Sequence, residues 1–282
     1  MVDFLDIPTK EITIDKIRNF MNEEGTKRIH FDTTHRNALK KRETGGVVNI
    51  PFINSICPII KAKLGTDKDF YASKGEYGGF YRLLKSDEEY ICFEGFVGEY
   101  KDIVFLRDNL DISIALSMNY NDDTRTEIGE LEYRAKYLNC KESESELVKV
   151  CKKWIEKLPY YKNADYICAI PGSDRSNKSL PERIVCLLNG FDFIDISDMV
   201  WWESKHRSVK EARDVESKLE ILQESNLTVS EDINLTGKTI ILFDDLYMSG
   251  VSMQFVAMKL KQAGAHRVLG MTVVKSRSNT AL

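Results

Sequence analysis

The sequence lacks several features that would place it in a special class of protein. Its six cysteines lie far apart and form no Cys-x-x-Cys pair, and it does not open on the apolar run typical of a signal peptide. Both absences favour reduced thiols and a cytoplasmic protein. No apolar segment approaches the roughly 20 residues that cross a bilayer, so we expect no membrane association. Internal repeats and low-complexity stretches are not found either.

Neither positive nor negative residues are in large excess. The 40 basic and 44 acidic residues give a formal net charge of −4, and this balance does not indicate a nucleic-acid partner. Residues 27–42 are a local exception, with six Lys or Arg and the single acid Asp32. This stretch could contact nucleic acid or a protein. A solvated helix surface is the simpler interpretation, because a charge run alone is a weak signal.

With 282 residues and 43% hydrophobic content, the chain can bury one large core or two moderate ones. Short apolar runs at 90–93, 103–106 and 112–116 are separated by charged turns, which predicts an amino-terminal α+β addition. The polar residues 119–125 mark its end. We therefore predict two domains, 1–125 and 126–282. The role of the first, which could include binding a protein partner, is open.

Helix and strand patterns alternate in the second domain, which predicts an α/β fold with a parallel sheet flanked by helices. The predicted elements are a helix after the capping-box pattern 143–146, a strand at 166–170, a helix from Pro181, a strand at 191–194, and a final strand, helix and strand at 239–243, 251–263 and 268–274. Ligands of such sheets bind beyond the carboxyl ends of the strands. The loops after residues 170 and 243 should therefore meet at one edge.

The most informative segment is 239–252, where an apolar run ends in Asp244 and Asp245 and a hydroxyl-rich turn opens a helix. Free backbone N–H groups and the helix dipole would favour a phosphate at this turn. The predicted phosphate-binding residues are Tyr247, Met248, Ser249, Gly250, Val251 and Ser252. Because the two acids would repel a phosphate, we assign them to ribose hydroxyls and to Mg²⁺ held through water. An ordinary strand-to-helix turn is the alternative, since capping and the dipole alone favour Asp and Ser.

This segment resembles the phosphoribosyl-pyrophosphate (PRPP) loop of type I phosphoribosyltransferases, in which a hydrophobic strand and two acids precede a Thr-Thr-Gly-x-Thr-like turn. Ser249, Gly250 and Ser252 match that turn. Met248 departs from it, because the family has Thr or, in purine-salvage members, a catalytic Asp at this position. A thioether cannot take a proton from a base. The resemblance therefore does not imply purine salvage.

The chain further resembles the ComF-like branch of the family, which is linked to DNA uptake and to bacterial defence modules. Residues 129–137 resemble the family's opening segment, although its amino-terminal zinc module is missing.

The branch implies a pyrophosphate loop at Gly172, Ser173, Asp174 and Arg175, although a Pro-Gly sequence is also a generic turn. It also implies that Lys205 and Arg207 act on the leaving pyrophosphate as catalytic residues, together with Asp244 and Asp245. A solvated basic turn is the alternative for Lys205 and Arg207.

The resemblance implies an enzyme of nucleotide metabolism that binds PRPP or a related ribose 5-phosphate compound with Mg²⁺. It would transfer the phosphoribosyl group to an acceptor that the sequence does not identify, or hydrolyse PRPP, and could act as a toxic effector of a defence or DNA-uptake module. Family members often form homodimers. A non-catalytic nucleotide sensor or interaction protein on the same fold is the alternative from another class, and Met248 keeps it open.

Overall fold

The structure is a computed structural model that describes residues 7, 9–65, 70–75, 78–173, 176–204, 209, 212 and 214–277. Its helices are α1 (Ile14–Asn22), α2 (Ile56–Leu64), α3 (Asp87–Glu99), α4 (Glu127–Tyr137), α5 (Lys141–Lys157), α6 (Leu180–Leu187), α7 (Val215–Glu224) and α8 (Val251–Gln262). Its strands are β1 (Arg28–His30), β2 (Leu39–Lys41), β3 (Gly46–Ile50), β4 (Tyr71–Ala72), β5 (Phe80–Leu84), β6 (Val104–Leu106), β7 (Ile112–Met118), β8 (Tyr120–Asn121), β9 (Thr124–Arg125), β10 (Tyr166–Ala169), β11 (Ile194–Asp195), β12 (Val200–Trp202), β13 (Leu227–Val229), β14 (Thr239–Tyr247) and β15 (Arg267–Lys275).

The central sheet has seven strands in the order β1-β6-β7-β15-β14-β10-β11. The strands from β7 to β11 in this order run parallel to one another, whereas β6 is antiparallel to β7 and to β1. The predicted α/β fold with a mostly parallel sheet is therefore confirmed. Because parallel strands end at one edge of a sheet, the loops after β10 and β14 leave the sheet at the same edge.

Helices cover both faces of this sheet, and β14 lies between them. Alternate residues of a strand point to opposite faces. Ile241 and Phe243 pack in the core that contains residues of α5 and α6, whereas Ile240 and Leu242 pack in the core that contains residues of α7 and α8. Burial on both faces explains why the sequence of β14 begins as an uninterrupted apolar run.

The amino-terminal α+β addition is a four-stranded antiparallel sheet, β2-β3-β5-β4, with α2 and α3. The strands β1, β6 and β7 belong instead to the central sheet, which takes three strands from before residue 125 and four from after it. The division into 1–125 and 126–282 stays a prediction. The basic stretch 27–42 forms no helix, since it contributes β1 and β2.

Some predictions of local structure are wrong, each for a local reason. Residues 90–93 lie in α3 and not in a strand, because Ser86 caps this helix and three acids fill its first turn. Helix α5 begins ahead of the predicted capping box, with Cys140 as its N-cap. The strand predicted at 191–194 is reduced to β11. Strand β14 continues to Tyr247, because its pairing with β15 continues to Lys275, so both acids lie within the strand.

The side chain of Asp111, the residue before β7, bonds to three other parts of the chain. Its buried carboxylate accepts the backbone N–H groups of Lys10 and Val268, both at 2.7 Å. It also pairs with Lys261 Nζ at 2.8 Å. These contacts join the segment before α1, the last turn of α8 and the start of β15.

Replacing Asp111 with alanine should lower the free energy of unfolding by about 3–5 kcal/mol, because removing one partner of a buried ion pair leaves the other charge uncompensated. Urea denaturation followed by circular dichroism measures this loss. Asp123→Ala is the matched control, since the side chain of Asp123 is fully exposed, and it should leave the unfolding midpoint unchanged. Equal effects of the two substitutions would contradict the stabilising role of Asp111.

Candidate functional site

A cleft of about 460 Å³ opens at the carboxyl edge of the central sheet. Parts of α4, α6 and α7 line it, together with the loop after β10 and the end of β14 with the turn into α8. The lining includes ten residues singled out from the sequence, namely Gly172, Ser173, Asp244, Asp245, Tyr247, Met248, Ser249, Gly250, Val251 and Ser252. The other four, Asp174, Arg175, Lys205 and Arg207, lie outside the described residues. The roles assigned to all fourteen stay predictions.

The turn between β14 and α8 depends on glycine at position 250. Gly250 is the N-cap of α8 with a left-handed φ of 79°, and a Cβ atom there would overlap the hydroxyl of Tyr247. The chain therefore passes close over the Tyr247 ring before the helix begins. Since the first N–H groups of a helix have no partner within it, the start of α8 offers hydrogen-bond donors to the cleft.

Tyr247 supports this turn with its side chain. Its hydroxyl donates to Asp108 Oδ2 at 3.0 Å, and both residues are buried. Burial raises the pKa of Asp108, and burial together with the Asp108 charge raises the pKa of Tyr247. The phenol therefore keeps its proton and stays bonded to Asp108, so only the backbone of Tyr247 could contact a phosphate.

The two acids of β14 have different surroundings. Asp245 is buried and its Oδ2 lies 2.6 Å from Lys136 Nζ, whereas Asp244 is half-buried and accepts the backbone N–H of Asp245 at 2.9 Å. Lys136 also lies 3.7 Å from the buried Glu132. Burial by itself would lower the pKa of Lys136, but Asp245, Glu132 and Asp244 raise it above its usual value. Lys136 therefore stays protonated and carries a positive charge among three carboxylates.

Sequence reasoning did not identify Lys136 as a site residue. It lies in the stretch 129–137, far from β14 in sequence, and only the fold brings it to Asp245. One signal is visible in hindsight: Glu132 and Lys136 are four residues apart, on one face of a helix. Lys218 of α7 was also missed. It lines the cleft, burial lowers its pKa, and it makes no ion pair with any described residue.

The loop after β10 lines the cleft next to the end of β14. The backbone N–H of Ile170 donates to Phe243 O at 2.8 Å, so this loop begins beside the acid pair. Trp202 Nε1 donates to Pro171 O at 3.1 Å and fixes the loop from its other side. Arg183 also lines the cleft, but its guanidinium already bonds Glu144 at 2.8 Å and Ala135 O at 3.2 Å. We therefore assign Arg183 a structural role.

Comparisons with known proteins add little to this geometry. No protein-family model matches the chain, and no curated protein matches it. A solved structure described as that of the allosteric regulatory enzyme of purine biosynthesis aligns with a TM-score of 0.34 and 11% identity, over 91% of this chain and 52% of that chain. The chain thus spans about half the length of that structure. Across the described residues, no helix is long and apolar enough to span a membrane.

Alanine at position 250 should destabilise the protein more than alanine at position 237. Gly250 and Gly237 both have left-handed φ values, 79° and 75°, so either substitution costs roughly 1–2 kcal/mol of backbone strain. A Cβ at position 237 meets no atom within 4 Å, whereas one at position 250 overlaps Tyr247. We expect Gly250→Ala to lose a further 1–3 kcal/mol or so from this overlap, measured by urea denaturation. Equal losses would show that the turn does not depend on the close approach to Tyr247.

Proposed function

We propose that the protein binds PRPP or a related ribose 5-phosphate compound in this cleft and transfers the phosphoribosyl group to an acceptor or to water. One observation carries the proposal: the start of α8 and the acid pair of β14 line the same cleft. A sugar phosphate needs both kinds of group, N–H donors for its phosphate and carboxylate acceptors for its hydroxyls.

The 5-phosphate would lie against the N–H groups of residues 249–252, and the two ribose hydroxyls would donate to Asp244 and Asp245. The pyrophosphate would then extend toward Gly172 and Ser173 across the cleft. Lys136 and Lys218, which also line the cleft, would supply positive charge. The family resemblance adds Asp174, Arg175, Lys205 and Arg207 to the proposed pyrophosphate contacts.

The acid pair also fits Mg²⁺ held through water. Among the residues that the structure describes, no three His, Cys, Asp or Glu side chains cluster as metal ligands. The described residues therefore do not form a closed cage of metal ligands by themselves. Mg²⁺ commonly keeps several waters and is bound by one or two carboxylates together with substrate phosphates, and Asp244 and Asp245 are suited to that arrangement. A bound Mg²⁺ would neutralise charge on the pyrophosphate.

In the proposed transfer, the bond between ribose C1 and the pyrophosphate oxygen breaks, and pyrophosphate leaves with the bonding electron pair. An acceptor nitrogen, or the oxygen of water, donates an electron pair to C1 and then releases its proton to solvent. The protein holds and neutralises the phosphates and supplies no nucleophile of its own. Met248, which cannot carry a proton, is compatible with this course.

The finer assignment to the ComF-like branch belongs to the same proposal and rests on the sequence resemblances at 129–137, 164–175 and 205–207. A role as effector of a defence or DNA-uptake module is carried over from relatives in that branch. A homodimer and a protein partner for residues 1–125 stay predictions. The second candidate is a sensor that binds the ligand without turnover. Met248 favours the sensor. Its side chain lines the cleft at the position where purine-salvage members have a catalytic Asp, and a thioether cannot carry a proton.

Incubation of the purified protein with PRPP and Mg²⁺ should release pyrophosphate, with ribose 5-phosphate as the second product if water is the acceptor. Asp244→Asn and Asp245→Asn should each weaken ribose 5-phosphate binding roughly tenfold or more in calorimetry, because each removes a charged hydrogen-bond acceptor. Asp232→Asn, at an exposed site, is the control. Binding without turnover across a panel of bases would favour the sensor, and failure to bind ribose 5-phosphate would refute both candidates.

Lys136→Met should weaken PRPP binding by about tenfold or more, because the cleft loses a cation that offsets Asp245 and faces an anionic ligand. Lys136→Arg keeps the charge and should retain more of the affinity. Lys149→Met removes an exposed lysine of α5 and should have no effect. Unchanged affinity in Lys136→Met, with the variant folded by circular dichroism, would show that Lys136 only stabilises the protein.

A further inference from the structure

A second cavity, of about 490 Å³, opens between α1, the loop before α2 and the segment before β7. Among the described residues, none that lines this cavity also lines the cleft. Most of its lining is polar, and it includes the cations Lys16 and Arg107 and the amides of Asn19 and Asn54. A gap left by imperfect packing of a hydrophobic core is apolar. This cavity therefore has the composition of a site for a polar ligand.

Arg107 is the most informative residue of the second cavity. Among the described residues, neither its buried Nε nor its buried Nη2 has a hydrogen-bond acceptor, although Nη2 lies 3.1 Å from Glu23 Oε2 as an ion pair. The Glu23 side chain is 55% exposed, so this pair is weak. Buried polar groups are nearly always satisfied, and an unsatisfied one calls for a water or an ion. An oxyanion in the cavity would satisfy this guanidinium through paired N–H bonds.

The helices around Arg107 also favour an anion. The carbonyls at the end of α1 would repel one, but Lys27 Nζ already donates to two of them, at 2.8 and 3.0 Å. Helix α2 begins next to Asn54, and the side chain of its N-cap, Ser55, makes no capping hydrogen bond. A helix start without a side-chain cap keeps free N–H groups and the positive end of its dipole. Charge and dipole therefore both favour a negatively charged ligand.

Two residues that line this cavity also hold the turn before α8. Asp108 Oδ2 accepts the Tyr247 hydroxyl at 3.0 Å, and its other oxygen accepts a backbone N–H two residues on. The carboxylate is therefore satisfied by the protein itself. Asn109 donates its side-chain amide to Gln254 Oε1 at 2.7 Å, and Gln254 Nε2 donates to Gly250 O at 3.2 Å. Hydrogen bonds thus connect the second cavity to the start of α8 in the cleft.

We infer that the second cavity binds a small organic ligand through an oxyanion, a phosphate or a carboxylate, held by Arg107, and that this ligand acts on the cleft through the turn before α8. The action on the cleft rests on the proposed function, whereas binding in the cavity does not. A ligand that fixes Asp108 and Asn109 orders the turn before a sugar phosphate arrives. By thermodynamic linkage, each ligand should tighten the binding of the other by the same factor.

Nuclear magnetic resonance of the full-length, ¹⁵N-labelled protein tests occupancy through the Nε–H signal of Arg107, which Arg107→Lys identifies by its loss. Titration with inorganic phosphate and, separately, with succinate should shift this signal to saturation. A response to one of them alone assigns the oxyanion as phosphate or carboxylate. Asn54→Asp adds a negative charge to the lining and should abolish the shift, whereas Asn37→Asp, at an exposed site, should keep it. The site is refuted if neither anion moves the signal, or if the shift survives in Asn54→Asp.

Calorimetry of ribose 5-phosphate, with and without the anion that shifts the Arg107 signal, tests the action on the cleft. The anion should raise the affinity of wild-type protein about fivefold or more relative to its effect on Asn54→Asp. That variant measures any competition for the cleft itself. Asn109→Ala should lose the gain but keep the shift of the Arg107 signal. An anion that binds without changing the affinity would overturn the coupling.

Failure of the proposed function is distinguishable from failure of this inference. If ribose 5-phosphate does not bind at all, the proposed function and the coupling both fail, while the Arg107 signal still decides whether the second cavity is a binding site. Thermal melts of each variant separate loss of binding from loss of folding.

Discussion

Parallel pairing of β14 with β10 on one side and β15 on the other is the constraint on which the candidate site depends. The pairing aligns Ala169 with Phe243 and continues beside β15 to Tyr247. Two loops that are distant in sequence must therefore leave the sheet side by side. No attraction between the loops is needed to bring them together, because the backbone register of the buried strands already fixes their separation. The same register places Asp244 and Asp245 among the residues that line the cleft.

The charges of the cleft follow from this placement. A buried carboxylate needs a partner, and α4 brings Lys136 to Asp245. A lysine so placed offsets the repulsion that two acids would exert on an anionic ligand, while the helix start at Gly250 provides donors without adding another full charge. In the proposed function, the start of α8 would receive the phosphate and the acid pair would receive the hydroxyl groups of a phosphorylated sugar.

The parts of this arrangement that the sequence predicts are those with local causes. The apolar run of β14, the glycine of the turn and the periodicity of α8 are each visible within a few residues, and they correctly indicate a strand, a turn and a helix. Contacts between distant segments carry no such signal. The pairing of Lys136 with Asp245 is one example, and the continuation of β14 past Phe243 is another, because it depends on β15. The prediction of a strand at 90–93 is wrong for a local reason. Ser86 and the acids after it favour a helix, and they outweigh the apolar pattern.

The first part of the chain is also joined to the turn that would hold a phosphate. Asn109 donates both its backbone N–H and its side-chain amide to Gln254 Oε1, and the same side-chain amide donates to Lys16 O in α1. Gln254 Nε2 in turn donates to Gly250 O at 3.2 Å. Asp108, the neighbour of Asn109, holds the Tyr247 hydroxyl below the same glycine. Because a buried polar network is costly to break at any one member, the segment before β7 helps to determine the shape of this turn. A fragment that begins at residue 126 would lose Asp108 and Asn109, which are the partners of Tyr247 and Gln254 beside Gly250.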